Sequence, residues 1–254
     1  MIKTGFKALD EIYDISKPEL IFLKGEHMHY VATLSGDIAN NICLKQDKNV
    51  LEIVSIFKEY LIKRLVVNNA DVNYYKWTLK NEYKDKKYSD EELKHIGLAT
   101  INLIETTRQL PMIIERNLLG YSLKNMERFI LNYANSYADR DQVDTLIILD
   151  VHTFTFERWN KSGYKYNYFK KKGIEKFIKN IRKISHKLNC PIMILFSNND
   201  VFDSNKKYAD VVMDLNFSRG KEEIFELNIT KGNETKSCKL KYNYEVRKFE
   251  DSEV

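Results

Sequence analysis

Six short apolar runs, each followed by a stretch that reads as helix or loop, constrain this chain more than any other feature. They cover residues 20–24, 50–55, 111–114, 145–150, 191–197 and 211–216. Most are continuously apolar rather than alternating, the pattern of strands covered on both faces. The intervals between them are long enough for crossover helices. The order predicts an α/β fold with a mainly parallel, twisted central sheet flanked by helices. The clearest helix is 174–188, with Ile174, Phe177, Ile178, Ile181, Ile184 and Leu188 on one face. Ser89-Asp90-Glu91-Glu92 forms an S-x-x-E capping box that opens another. Near the carboxyl end Phe225, Leu227 and Ile229 alternate with polar residues, as do Cys238, Leu240, Tyr242 and Tyr244. These predict an antiparallel hairpin turning at Lys231-Gly232-Asn233-Glu234. No internal repeat and no proline- or glycine-rich linker divides the chain, so residues 1–254 are expected to form one domain.

Composition narrows the class. The 254 residues are 43% hydrophobic and 30% charged, enough to fill a core and keep a surface wet. No apolar run reaches the ~18–20 residues that cross a bilayer, and the amino terminus has no signal-peptide pattern, so a cytoplasmic protein without membrane contact is expected. Cys43, Cys190 and Cys238 are far apart and odd in number, which reads as reduced thiols rather than disulfides or a zinc site. A net charge of +5 permits nucleic-acid contact but argues for it only where the charges cluster. G-x-S-x-G, H-E-x-x-H and C-x-x-C are all absent, which removes the hydrolase, metalloprotease and thiol-redox readings.

The segment Lys24-Gly25-Glu26-His27-Met28-His29-Tyr30-Val31 sits between the first apolar run and a helix expected over residues 32–43. An ATPase places G-x-x-x-x-G-K-[ST] at such a junction: glycine lets backbone approach phosphate, lysine reaches the outer phosphates, and the hydroxyl holds magnesium. Here His29 stands at the glycine, Tyr30 at the lysine and Val31 at the hydroxyl.

The rest of the chain resembles the motor domain of DnaB-type replicative helicases of bacteria and phages, a RecA-like P-loop NTPase fold. Thr4-Gly5-Phe6-Lys7-Ala8-Leu9-Asp10 is similar to the T-G-F-x-x-L-D opening of that family, and Pro18-Glu19-Leu20-Ile21 to its P-G-E-L-I approach to the first strand. Leu61-Ile62-Lys63-Arg64 resembles its L-x-x-R helix, Leu146-Ile147-Ile148-Leu149-Asp150 its Walker B strand, and Asn189-Cys190-Pro191-Ile192 the strand after it. Ala209-Asp210-Val211-Val212 and Arg247-Lys248-Phe249-Glu250-Asp251 complete the frame. The order and spacing of these pieces, over nearly the whole length, carry the resemblance. It implies one RecA-like domain without the family's amino-terminal domain.

Mapped onto this resemblance, scaffold positions survive and catalytic ones fail. The catalytic glutamate falls at or near Ser55, the glutamine sensor near Thr153, and the arginine of the trans-acting K-x-R finger at Asn233. Asp150 and Lys231 keep the expected chemistry. Phosphoryl transfer rests on positioning and charge stabilisation, and an arginine finger alone is worth roughly 10³–10⁵ in rate. The expected protein is a pseudo-ATPase that needs no cofactor and uses neither ATP nor magnesium. Without a bridging nucleotide it is expected to self-associate weakly or not at all.

Two segments are compositionally biased. Lys76, Lys80, Lys84, Lys86 and Lys87 mark a solvated insertion. Residues 158–172 interleave Arg158, Lys161, Lys165, Lys170, Lys171 and Lys172 with Trp159, Tyr164, Tyr166, Tyr168 and Phe169. Lysines neutralise phosphates, and aromatic faces stack on bases at roughly 1–3 kcal/mol each. The resemblance places this loop on the channel that holds single-stranded DNA. The alternative is a solvated surface loop whose rings pack on a protein. His27, His29 and His152 beside Asp150 form a weak candidate metal cluster without a recognised ligand spacing. Glu52 and Asp150 lie on separate strands, and a buried Glu52 is expected to be a paired residue rather than an acid catalyst.

Three functions remain open on the sequence. One is an inactive helicase-like accessory protein of DNA replication that binds single-stranded DNA, a replicative helicase or another replication protein. The second is a structural interaction protein reusing the fold without nucleic acid. The third is a divergent active helicase, which the loss of the cationic lysine disfavours.

Overall fold

The computed structural model describes residues 2–54, 58–73, 76, 88–105, 110–115, 122–137, 144–150, 157–159, 165–167, 171–196, 199–218 and 223–252. Helix α1 (Lys7–Ile12) precedes β1 (Leu20–Gly25), α2 (Met28–Gln46), β2 (Asn49–Val54), α3 (Lys58–Ala70), α4 (Asp90–Glu105) and β3 (Met112–Glu115). Next come α5 (Leu123–Tyr137), β4 (Thr145–Asp150), the short strands β5 (Glu157–Trp159) and β6 (Lys165–Asn167), α6 (Lys171–Lys187) and β7 (Ile192–Phe196). After α7 (Asn199–Asn205) and a 3₁₀ turn (Lys206–Tyr208), the chain closes with β8 (Val211–Phe217), β9 (Ile224–Lys231), β10 (Glu234–Asn243) and β11 (Lys248–Asp251).

The main sheet has the order β11-β10-β9-β8-β1-β7-β4-β2-β3. The six strands from β8 to β3 are parallel, and β9, β10 and β11 continue the sheet antiparallel. Each apolar run of the sequence became one parallel strand: β1, β2, β4 and β7 are buried on both faces, whereas β8 alternates buried and partly buried residues and the edge strand β3 leaves Met112 exposed. On β1, Ile21 and Leu23 enter a core shared with α1, α2 and the antiparallel strands. Leu20 and Phe22 enter another beneath α5 and α6. The result is a three-layer sandwich, with α3 and α4 closing smaller clusters around Val67 and Leu65.

Local signals were expressed where they stand. Ser89 N–H donates to Glu92 at 2.7 Å and Glu92 N–H to Ser89 Oγ at 3.2 Å, the reciprocal capping box at the start of α4. The predicted apolar face of α6 is buried throughout. Gly232 has φ +60° and Asn233 does not share that region, so the two-residue loop between β9 and β10 has the glycine-first pattern of a II′ turn. The carboxyl-terminal hairpin is extended by a third strand, β11, whose Asp251 caps α1 by accepting from Lys7 N–H at 3.0 Å and Ala8 N–H at 3.2 Å.

One boundary differs from the expectation. The helix expected over 32–43 runs from Met28 to Gln46, so His29, Tyr30 and Val31 belong to its first turn and not to a loop. Packing explains the shift: Val31 and Leu34 are fully buried and Tyr30 is enclosed by rings, which holds this turn in helical form.

Candidate functional site

In a parallel sheet, ligands are met at the carboxyl ends of the strands. Here β1 delivers Gly25 and the start of α2 to that edge, and β4 delivers Asp150. Only β7 separates them: Leu195 is in register with Leu23 on one side and Asp150 on the other. Two inter-strand spacings put Leu23 and Asp150 about 9.6 Å apart at Cα. Asp150 is buried, 5% exposed. The link from β1 to α2 is only Glu26 and His27, and His27 makes no side-chain capping bond. Gly25 is packed tightly, since an added Cβ would meet Leu215 O and Val31 Cγ2 at 2.9 Å.

The first turn of α2 faces an aromatic cluster. The Tyr30 ring centroid lies 4.7 Å from Phe225, 5.0 Å from Tyr242, 5.2 Å from His29 and 5.3 Å from Phe217. Phe249 joins through Phe225 at 5.3 Å and Tyr242 at 5.0 Å. Most of these contacts are edge-on or tilted, arrangements that add ≈ 0.5–1.5 kcal/mol per pair beyond area burial. His29 Nε2 is 3.1 Å from Tyr242 Oη. Desolvation, with Arg247, Arg64 and His27 adding positive charge, lowers the His29 pKa to about 4, so this ring is neutral at pH 7. Val31 points into the core with no exposure. The next hydroxyls on α2 turn back on their own helix: Thr33 Oγ1 donates to His29 O at 2.9 Å and Ser35 Oγ to Ala32 O at 3.1 Å. Lys24, the cation nearest in sequence, pairs with Asp214 at 2.8 Å and lies 5.0 Å from the Phe202 ring.

The remaining predicted positions scatter. Lys231 and Asn233 lie at the far end of the sheet: Thr230 pairs with Val212, which pairs with Phe22, so the strand after Thr230 runs toward the amino end of β1. There Lys231 forms an ion pair with Glu19, whose carboxylate also accepts from Tyr13 Oη at 3.1 Å. Asn233 is exposed at the turn. The backbone of 157–159 and 165–167 forms an antiparallel pair in which Arg158 faces Tyr166 and Trp159 faces Lys165. Lys172 is exposed on α6, where Lys171 also lies. Ser55, His152, Thr153, Lys161, Tyr164, Tyr168, Phe169 and Lys170 lie outside the described residues, as does the lysine-rich insertion beyond Lys76. Among the described residues, no group of three His, Cys, Asp or Glu side chains could hold a metal ion. All three cysteines are free and buried.

Sequence reasoning missed a buried ionic network behind the first turn of α2. Arg64 on α3 is 3% exposed and donates to Ala32 O and Thr33 O, both at 3.3 Å. Its guanidinium lies 3.6 Å from Asp37, which also accepts from Asn68 Nδ2 at 3.3 Å and Phe249 N–H at 2.8 Å. Burial raises the Asp37 carboxyl to about 6, against the opposing pull of Arg64. Glu52, also buried and drawn by Arg64, is raised by burial to about 7. Glu52 lies on an interior strand, buried within the field of Arg64. The available signal was Gly36-Asp37 in the middle of the predicted helix, where neither residue favours helix.

No protein-family model matches the sequence, and no curated protein sequence matches it. Solved structures do resemble it in shape. One solved ATPase domain superposes with a TM-score of 0.73 at 15% identity, covering 99% of this chain and 91% of that one. A DnaB-like replicative helicase, solved with a view of its interactions with primase, gives 0.73 and 15% over 99% of this chain, which spans 62% of that one. The RadB recombinase gives 0.56 and 12% with both chains fully covered. The fold is that of RecA-like P-loop ATPases. No helix among the described residues is long and apolar enough to cross a membrane.

Proposed function

We propose that this chain is a catalytically inactive, DnaB-like RecA-fold protein that serves DNA replication without using ATP, binding single-stranded DNA through the basic, aromatic segment 158–172. One observation carries the first half. Tyr30, at the position where a phosphate loop places lysine, is the hub of a ring cluster built by α2, β8, β9 and β10. Val31 is core, the nearby hydroxyls are bonded to their own helix, and Lys24 is neutralised by Asp214. This donor set offers a magnesium nucleotide neither a cationic contact nor a metal-holding hydroxyl, so it does not fit that ligand. The family finger is reduced to Lys231, paired with Glu19 inside the same chain.

The second half is supported by sequence composition and by the antiparallel pairing of 157–159 with 165–167. A two-stranded ribbon of alternating cations and rings can neutralise phosphates and stack on unpaired bases. A replicative helicase is the protein partner that the shared fold best accommodates.

Calorimetry with Mg-ATP, together with phosphate release in the presence and absence of single-stranded DNA, tests the reading. No heat of binding and no turnover are expected, whereas micromolar affinity with DNA-stimulated turnover would overturn it. Fluorescence anisotropy with a labelled single strand at low salt tests the DNA half. Absence of binding would turn the reading toward protein interaction alone.

A further inference from the structure

Helix α6 places Lys172, Lys176, Lys179, Lys183 and Lys187 at steps of four, three, four and four residues, which is one face of an α-helix. All five are exposed. At 1.5 Å per residue the stripe is about 22 Å long. The opposite face, with Ile174, Phe177, Ile178 and Ile181, is sealed into the core, so the helix is rigidly seated.

Counter-charge on this face is already committed. Glu175, the only acidic residue of α6, is held by Tyr208 Oη, Lys179 at 3.5 Å and Lys207 at 3.7 Å. Asp210 takes Arg182 at 2.5 Å and His186 at 3.0 Å, and also accepts from Leu20 N–H at 2.9 Å. Among the described residues no ion pair engages Lys172, Lys176, Lys183 or Lys187. Towards the carboxyl end of the helix the stripe borders an open groove of about 780 Å³ walled by Lys179, Lys183, Lys187 and Tyr208.

We propose that this face binds the phosphodiester backbone of duplex DNA, independently of base sequence. A small anion needs donors that converge, whereas these lysines run in line and suit a linear polyanion. An acidic membrane surface is disfavoured because the apolar face that would insert is spent in the core. A stacked single strand is disfavoured because, among the described residues, the ring that borders the groove is Tyr208, and it lies beneath Lys179 and Lys207 at 5.0 and 5.1 Å. A straight, rigid row of cations about 22 Å long suits a rod-like polyanion that carries one charge per about 1.7 Å of its axis. Lysines act there as point charges, without the forked geometry that reads a carboxylate on a protein. Lys172 belongs both to this row and to the 158–172 segment, so the test changes only lysines beyond that segment.

The test measures anisotropy of a labelled blunt-ended duplex against salt for the full chain and for a Lys176→Gln/Lys183→Gln/Lys187→Gln variant. These three side chains are exposed and make no ion pair among the described residues, so the variant is expected to melt as the parent does. Three lost contacts should flatten the slope of log affinity against log salt by about 2.7, shrinking the affinity lost between about 50 and 200 mM salt by about 40-fold. Trp159→Ala/Tyr166→Ala should leave duplex binding unchanged while weakening single-strand binding, which separates this surface from the one proposed above. No duplex binding by the parent at low salt, or an unchanged slope in the triple variant, overturns the proposal. So does displacement of the duplex by polyglutamate as readily as by unlabelled duplex, which would mark an acidic protein as the occupant.

Discussion

The Arg64 guanidinium occupies the space that a side chain at position 36 would need: a Cβ built on Gly36 lies 2.0 Å from Arg64 Nη2. Gly36 is therefore the notch in α2 through which a buried cation reaches Asp37. Both charged side chains are almost fully enclosed, at 4% and 6% exposure.

Gly36→Ala should consequently destabilise, although alanine favours helix by up to about 1 kcal/mol over glycine. The methyl group displaces the guanidinium and leaves Asp37 and Glu52 without their cation. Breaking a buried pair in this way costs about 3–5 kcal/mol. Urea unfolding should show a lowered midpoint at unchanged slope; a stabilised variant would contradict the packing.

The same network sets a pH dependence. Asp37 and Glu52 are raised to about 6 and 7 from ordinary values near 4, so the folded protein holds protons that the unfolded chain releases. Their contribution to stability is fully present below about pH 4 and is lost as pH rises through 6 to 7. Melting between about pH 5 and 8 should show stability falling with pH, and Glu52→Gln should flatten that fall. An equal pH slope in the variant would remove Glu52 from the account.

Introducing phosphate-loop residues by Tyr30→Lys with Val31→Thr should not create an ATPase. It takes the hub from the aromatic cluster and puts a hydroxyl into the core, at a combined cost of about 2–4 kcal/mol. Phosphate release should stay at background while the melting temperature drops. Turnover without loss of stability would show that the site needed only its lysine.

Lys231 spends its charge on Glu19 within the chain, and Asn233 carries none. A subunit interface relying on this hairpin to reach a neighbour's nucleotide lacks both parts. Light scattering at micromolar concentration should report a monomer or a weak small oligomer. Lys231→Ala should leave that state unchanged and cost no more than about 1 kcal/mol, since the lysine end of the pair is half exposed. A stable ring without DNA or partner would refute this.

The sequence by itself determined the six parallel strands and the β9–β10 hairpin, the capping box of α4, the buried face of α6 and the glycine turn at Gly232, because each follows from periodicity or hydrogen bonding within a few residues. It also held the frame of motifs whose order matches the RecA-like fold. Tertiary structure decided the rest. Whether α2 starts at Met28 or Ala32 depends on Phe217, Phe225 and Tyr242 meeting Tyr30 from strands far along the chain. Asp37 is satisfied partly by Phe249 N–H, 212 positions away, and Lys231 finds Glu19 across the same separation. Local pattern carries no information about such partners. They exist because burying a charge or a ring is favourable only when the whole fold brings its complement to the same place.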